Sequence, residues 1–88
     1  MALFDDVTGV LSAMVDFHLV TKWKTAGDSL LAASLLARKD SREILLVGAG
    51  TVARSMVDAY RAVWPEARFT VWSRNSAAAM GLPVADDL

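Results

Sequence analysis

Fifteen residues constrain this chain more than any other stretch: Ile44-Leu-Leu-Val-Gly-Ala-Gly-Thr-Val-Ala-Arg-Ser-Met-Val-Asp58. Ile44 to Val47 is an apolar run without alternation, the pattern of a parallel strand covered on both faces. Gly48-Ala49-Gly50 breaks it. Beyond the break, Val52, Met56, Ala59 and Val63 recur at helical spacing while Arg54, Asp58 and Arg61 fall on the other side, so an amphipathic helix follows. Strand, glycine turn and helix in immediate succession leave few folds open.

In that context the glycine spacing has a chemical reading. Gly48 lets the chain turn sharply out of the sheet, Gly50 leaves room for a pyrophosphate to approach the backbone, and Ala53 lets the helix pack closely on the strand. No side chain of the first helical turn fills the space before it. Its N–H groups and the positive end of the helix dipole can therefore meet an anion. Arg68-Phe69-Thr70-Val71-Trp72 reads as a second strand, parallel to the first, after a helix stopped at Pro65. The residue ending such a strand meets the adenosine ribose. An acid there accepts from the 2′-hydroxyl, whereas arginine with small polar neighbours accommodates a 2′-phosphate. Ser73-Arg74-Asn75 holds no acid and one guanidinium, which points to NADP(H) over NAD(H).

The segments before this unit are simpler. Leu3-Phe4 and Val10 to Val15 flank Asp5-Asp6-Val7-Thr8-Gly9, turn chemistry that predicts a β-hairpin. Thr21 to Arg38 is the longest helical candidate, with Leu30, Leu31, Leu35 and Leu36 among alanines, and Arg38 and Lys39 suit its negative end. Lys24 then stands near the start of that helix, where a cation is unfavourable. Either an acidic ligand holds it there or it is a solvated surface lysine. His18, the single histidine, has no second histidine or cysteine nearby and no acids at metal-ligand spacing, so it reads as a partly exposed connector.

Composition narrows the function classes. The chain has 88 residues, 55% hydrophobic, with a formal charge of −1 and no cysteine. That excludes a disulfide framework and thiolate chemistry and gives no basic field for nucleic acid. No stretch is long enough to span a bilayer, and Met1 to Asp6 lacks a signal-peptide pattern, so a cytoplasmic protein is expected. So apolar a chain, with two parallel strands and one crossover helix, is expected to associate as a homo-oligomer.

Five motifs in order carry a family resemblance: Asp6-x-Thr8-Gly9, Thr21-x-x-Lys24-Thr25-Ala26, Leu36-Ala37-Arg38, Val47-Gly48-Ala49-Gly50-Thr51-Val52-Ala53 and Trp72-Ser73-Arg74-Asn75. Together they resemble the central segment of the ornithine cyclodeaminase and mu-crystallin family, which includes cyclic imine reductases and amino-acid dehydrogenases. The resemblance implies an α/β fold, partial and Rossmann-like, with residues 1–20 as a hairpin of the dimerisation and substrate domain, 21–40 as a connecting helix and 41–88 as the first part of an NAD(P)-binding domain. It implies that Thr51 and Val52 present backbone to the pyrophosphate, and that Ser73, Arg74 and Asn75 surround the ribose. Lys24 stands where the family has an arginine that touches cofactor and substrate carboxylate; lysine keeps the charge but loses the planar fork. The family's substrate-binding lysine and catalytic aspartate have no counterpart in this segment, so no catalytic residue is assigned here. The expectation is a fragment of an NAD(P)-dependent enzyme acting on an amino acid or cyclic imine, inactive alone, with a non-catalytic nucleotide-binding or self-associating protein as the alternative.

Overall fold

The computed structural model describes residues 1–75 and 80–87. In chain order it has β1 (Ala2–Phe4), β2 (Leu11–Met14), α1 (Phe17–Leu36), β3 (Glu43–Val47), α2 (Thr51–Val63) and β4 (Arg68–Trp72). The hairpin forms as its turn chemistry requires. The Asp5 carboxylate accepts from Val7 N–H at 2.9 Å, Thr8 N–H at 2.7 Å and the Thr8 hydroxyl at 2.9 Å. Gly9 closes the loop onto Asp5 O at 2.9 Å with φ +71°, a conformation that favours glycine. These donors, the Thr8 N–H first, then its hydroxyl and the Val7 N–H, hold the Asp5 carboxyl below its ordinary pKa.

Helix α1 starts four residues before the expected Thr21. Asp16 is the reason: its carboxylate caps Leu19 N–H at 2.8 Å and fixes the first turn at Phe17. Two readings are corrected by this boundary. Lys24 lies well inside the helix, clear of the first-turn dipole, and His18 belongs to the helix rather than to a connector, though it is exposed. The other end also differs. The helix stops at Leu36 with no basic residue in its last turn, and Arg38 turns to Asp40, Nη2 to Oδ2 at 2.8 Å, instead of the helix dipole.

β3 and β4 pair in parallel from Glu43↔Arg68 to Val47↔Trp72, with α2 as the crossover, as the pattern predicts. The pairing starts from Arg68 N–H to Arg42 O at 2.7 Å and an exposed Arg68–Glu43 ion pair at 2.9 Å, the latter contributing less than about 1 kcal/mol. Beyond β4 an isolated parallel bridge follows: Val71 N–H donates to Pro83 O and Ala85 N–H to Val71 O, both at 2.8 Å, pairing Val71 with Val84. The sequence pattern alone did not separate this bridge from a loop.

Leu46, Val57, Phe69 and Val71 form the buried core, where α2 lies on the β3–β4 pair. Successive residues of a strand point to opposite faces, so Ile44 and Leu46 turn inward while Leu45 and Val47 stay 51% and 64% exposed. The apolar run is therefore covered on one face within this chain, not on both. α2 keeps Arg54, Asp58 and Arg61 exposed as expected but buries a wider arc than the expected stripe. Ser55 and Val57 are buried, Met56 and Tyr60 pack beside the core, and Val63 is exposed, because α1 packs against α2 from a second side. Tyr60 records that contact: its hydroxyl lies 2.9 Å from Ser29 Oγ and donates to Ser29 O at 3.1 Å. Each helix buries one small residue completely, Ala26 on α1 and Ser55 on α2, and Ser55 satisfies its hydroxyl on Thr51 O at 2.9 Å. No helix among the described residues is long and apolar enough to cross a membrane.

Candidate nucleotide-binding site

The site is built where β3 runs into α2. Gly48 leaves the strand with φ +117°, a conformation that L side chains rarely adopt, and its N–H donates to Trp72 O at 2.7 Å. That bond ties the glycine turn to the end of β4. Ala49 packs against the core and holds the turn down. Gly50 follows as N-cap of α2, with φ −83° and ψ −168° and no capping side chain; no acidic residue stands in the first turn. The helix therefore presents its N–H groups at Thr51, Val52 and Ala53 to the space in front of it.

Gly50 distinguishes a turn from a cradle. Its φ is open to any L residue, and a Cβ built there meets no atom within 4 Å. Neither backbone strain nor packing within the chain calls for glycine at this position, although glycine is a better N-cap than alanine. An anion brought against the backbone does, so the residues present fit a dinucleotide pyrophosphate. A hollow of about 490 Å³ lies beside the turn, lined by Gly48, Gly50, Thr51, Val52 and Ala53 with Leu45, Leu46, Val47 and Met56.

The parallel register brings the second group of expected residues to the same end. Val47 faces Trp72, so Ser73 continues β4 directly beside the Gly48 turn. Ser73 is half-buried, and Arg74 and Asn75 are exposed. Gly48, Gly50, Thr51, Val52 and the Ser73–Asn75 segment thus share the carboxyl end of the two parallel strands, where ligands of open α/β sheets bind. Lys24 comes from elsewhere. Ser29 meets Tyr60, and Ala33 and Ala37 share a hollow with Tyr60 and Trp64, so α1 runs alongside α2 in the same direction. Lys24 lies earlier on α1, towards the amino end of α2, exposed and without an ion pair among the described residues. What the sequence missed is the fastening of α1 to α2 through Ser29 and Tyr60; both residues lay in view, but nothing in the spacing within either helix joins them.

Known proteins share this arrangement. The sequence profile of the ornithine cyclodeaminase/mu-crystallin family matches residues 1–82. Delta(1)-pyrroline-2-carboxylate reductase of Paracoccus denitrificans is 57% identical over 83 residues, a match covering 93% of this chain and 26% of the relative. A solved lysine cyclodeaminase, studied for recognition of L-lysine, L-ornithine and L-2,4-diaminobutyric acid, superposes with TM-score 0.76 at 36% identity, over 96% of this chain and 27% of that one. The Thermococcus litoralis Delta(1)-pyrroline-2-carboxylate reductase, in complex with NADH and L-proline, gives TM-score 0.71 at 27% identity, over 94% and 29%. The chain spans about a quarter of the length of the curated relatives it matches. With nearly its whole length inside the family profile, and a glycine turn closed onto the second parallel strand, the chain belongs to the ornithine cyclodeaminase/mu-crystallin family.

Proposed function

We propose that this chain is the cofactor-cradling segment of a nicotinamide-dependent reductase that converts a cyclic imino acid, of the Δ1-pyrroline-2-carboxylate kind, to the amino acid. The observation that carries the reading is Gly50, whose missing side chain leaves the backbone at the uncapped start of α2 open to an anion, beside the Gly48 turn. The identity to the Paracoccus reductase supports the substrate class.

In this reading the N–H groups of Thr51 and Val52 hold the pyrophosphate, and Gly48 sets the turn that aims them. Ser73 and Asn75 contact the adenosine ribose, and Arg74 pairs with a 2′-phosphate, so NADP(H) is preferred over NAD(H). Lys24 supplies a positive charge to the cofactor or to the substrate carboxylate. When bound, the nicotinamide provides the hydride that reduces the imine carbon; the protein's part is to orient the two. In this reading the groups that touch the reacting carbon lie in portions of the family that this chain does not match, and the chain alone binds cofactor without turnover. It works in the cytoplasm, where that cofactor is held, and associates through apolar surface such as Leu45 and Val47 with a second copy.

Calorimetric titration of NADPH and NADH into the chain, followed by an absorbance assay with Δ1-pyrroline-2-carboxylate, tests the reading. Saturable binding, tighter for NADPH and without oxidation of the cofactor, is the expected result. No binding of either dinucleotide at millimolar concentration would favour a purely self-associating protein. Light scattering at micromolar concentration checks the association, and a monodisperse monomer would count against it.

A further inference from the structure

A second hollow, of about 350 Å³, lies at the end of the molecule opposite the glycine turn, between the carboxyl ends of α1 and α2 and the start of β3. Its size and walls are those of a small-molecule pocket: the rings of Tyr60 and Trp64, the small side chains of Ala33 and Ala37, and a few polar groups at the rim. The two rings stand 5.6 Å apart and tilted by 54°, forming an angled aromatic wall.

The polar groups decide what would fit. Arg38, Lys39 and Glu43 are the charged side chains of the lining. Arg38 is held by Asp40 through two hydrogen bonds, at 3.1 and 2.8 Å, and Glu43 is held by Arg68 at 2.9 Å. Lys39 has no counter-charge among the described residues. The Trp64 indole N–H has no protein acceptor among them and is open to solvent, since no buried side-chain nitrogen among the described residues lacks a partner. The Lys39 ammonium, the one lining cation among the described residues without a counter-charge, favours an acceptor that carries negative charge.

The geometry points to a binding site for a small aromatic carboxylate, with its ring against Tyr60 and Trp64 and its carboxylate towards Lys39. The site is separate from the cradle at Gly50 and does not depend on the assignment made there.

Titration of the 88-residue chain with 2-naphthoate and with the uncharged 2-naphthalenemethanol, followed by amide and indole NMR shifts, tests it. Naphthoate should shift the signals of Ala33, Tyr60 and the Trp64 indole saturably, and bind about threefold to fivefold more tightly than the alcohol. Lys39→Gln, at an exposed position, should reduce naphthoate to the level of the alcohol. Ala33→Leu fills the hollow and should abolish binding while the β3 and β4 amide signals stay in place. If that variant does not fold, the unmodified chain and Lys39→Gln still decide the question. Equal affinity for acid and alcohol, indifference to Lys39→Gln, or shifts concentrated at Leu45 and Val47 or at Gly48 to Val52 would each overturn the assignment. So would ligand-free shifts of Ala33 and Trp64 that depend on protein concentration, since a second copy would then occupy the hollow.

Discussion

Gly48 and Gly50 stand two residues apart and should respond to the same substitution in opposite ways. Gly48→Ala forces a Cβ onto a residue at φ +117°, a strain of roughly 1–3 kcal/mol. For a domain of this length that lowers the melting temperature by about 4–8 °C per kcal/mol. Gly50→Ala meets no such penalty, because φ is −83° and the new Cβ lies in open space. Two smaller effects oppose each other there. Alanine is a poorer N-cap than glycine, which costs roughly 0.5–1 kcal/mol, and loss of glycine's freedom in the unfolded chain returns about 0.4–1 kcal/mol. The fold should therefore keep its melting temperature within a few degrees. Binding should not be kept. The same Cβ stands between the backbone and an approaching pyrophosphate, and displacing one charge-assisted hydrogen bond of about 1.5–3 kcal/mol weakens the dinucleotide roughly tenfold to a hundredfold. Thermal denaturation by circular dichroism and calorimetric titration with NADPH, run on both variants, measure the two quantities independently. A Gly50→Ala chain that binds like the unmodified protein would refute the cradle, and one that melts ten or more degrees lower, by roughly 2 kcal/mol, would show that glycine is there for the fold.

Three further outcomes follow from named contacts. Arg74→Ala should cut the preference for NADPH over NADH by about tenfold to a hundredfold while leaving NADH affinity nearly unchanged, as paired titrations would show. Tyr60→Phe removes the hydroxyl that meets Ser29 at 2.9 and 3.1 Å and should cost about 1 kcal/mol, a drop of roughly 4–8 °C in melting temperature, with nucleotide affinity retained. Asp5 has a folded pKa below its unfolded value, so its stabilisation of the hairpin is complete above the unfolded pKa and is lost as the pH falls through the lower folded one; Val7 and Thr8 amide exchange should accelerate below about pH 4, and Asp5→Asn should remove most of that pH dependence.

The β3–α2–β4 unit was legible because each step has a local cause: an apolar run, a glycine needed at positive φ, an apolar–polar periodicity and a proline stop. The start of α1 was less legible. Alanine and leucine fill it without a clear phase, so its boundary rests on a single capping carboxylate, Asp16, that periodicity does not weigh. Its leucines do not mark its buried face: Leu31, Leu35 and Leu36 are exposed, and the residue it buries fully is Ala26. The inner face of α2 was predicted for contact with one layer. It meets two, the sheet through Val57 and α1 through Tyr60, so its buried arc is wider than the stripe of Val52, Met56 and Ala59 that the spacing shows.

The exposed apolar residues form a pattern that composition alone conceals. Leu45 and Val47 line the uncovered face of β3, Leu3, Phe4 and Leu11 belong to the hairpin strands, and Leu31, Leu35 and Leu36 lie along α1. Leu45, Val47 and the α1 leucines belong to elements whose other face is occupied, whereas the hairpin is exposed on both faces apart from the half-buried Ala13. Burying a side chain of this kind contributes roughly 1.5–3 kcal/mol, whereas the core of this chain rests on four buried residues, Leu46, Val57, Phe69 and Val71. The apolar run of β3 thus holds two sets of instructions. Leu46 is satisfied within the 88 residues by α2 and β4, while Leu45 and Val47 stay exposed on the strand's other face, and the strand's lack of alternation reflects apolar residues on both faces.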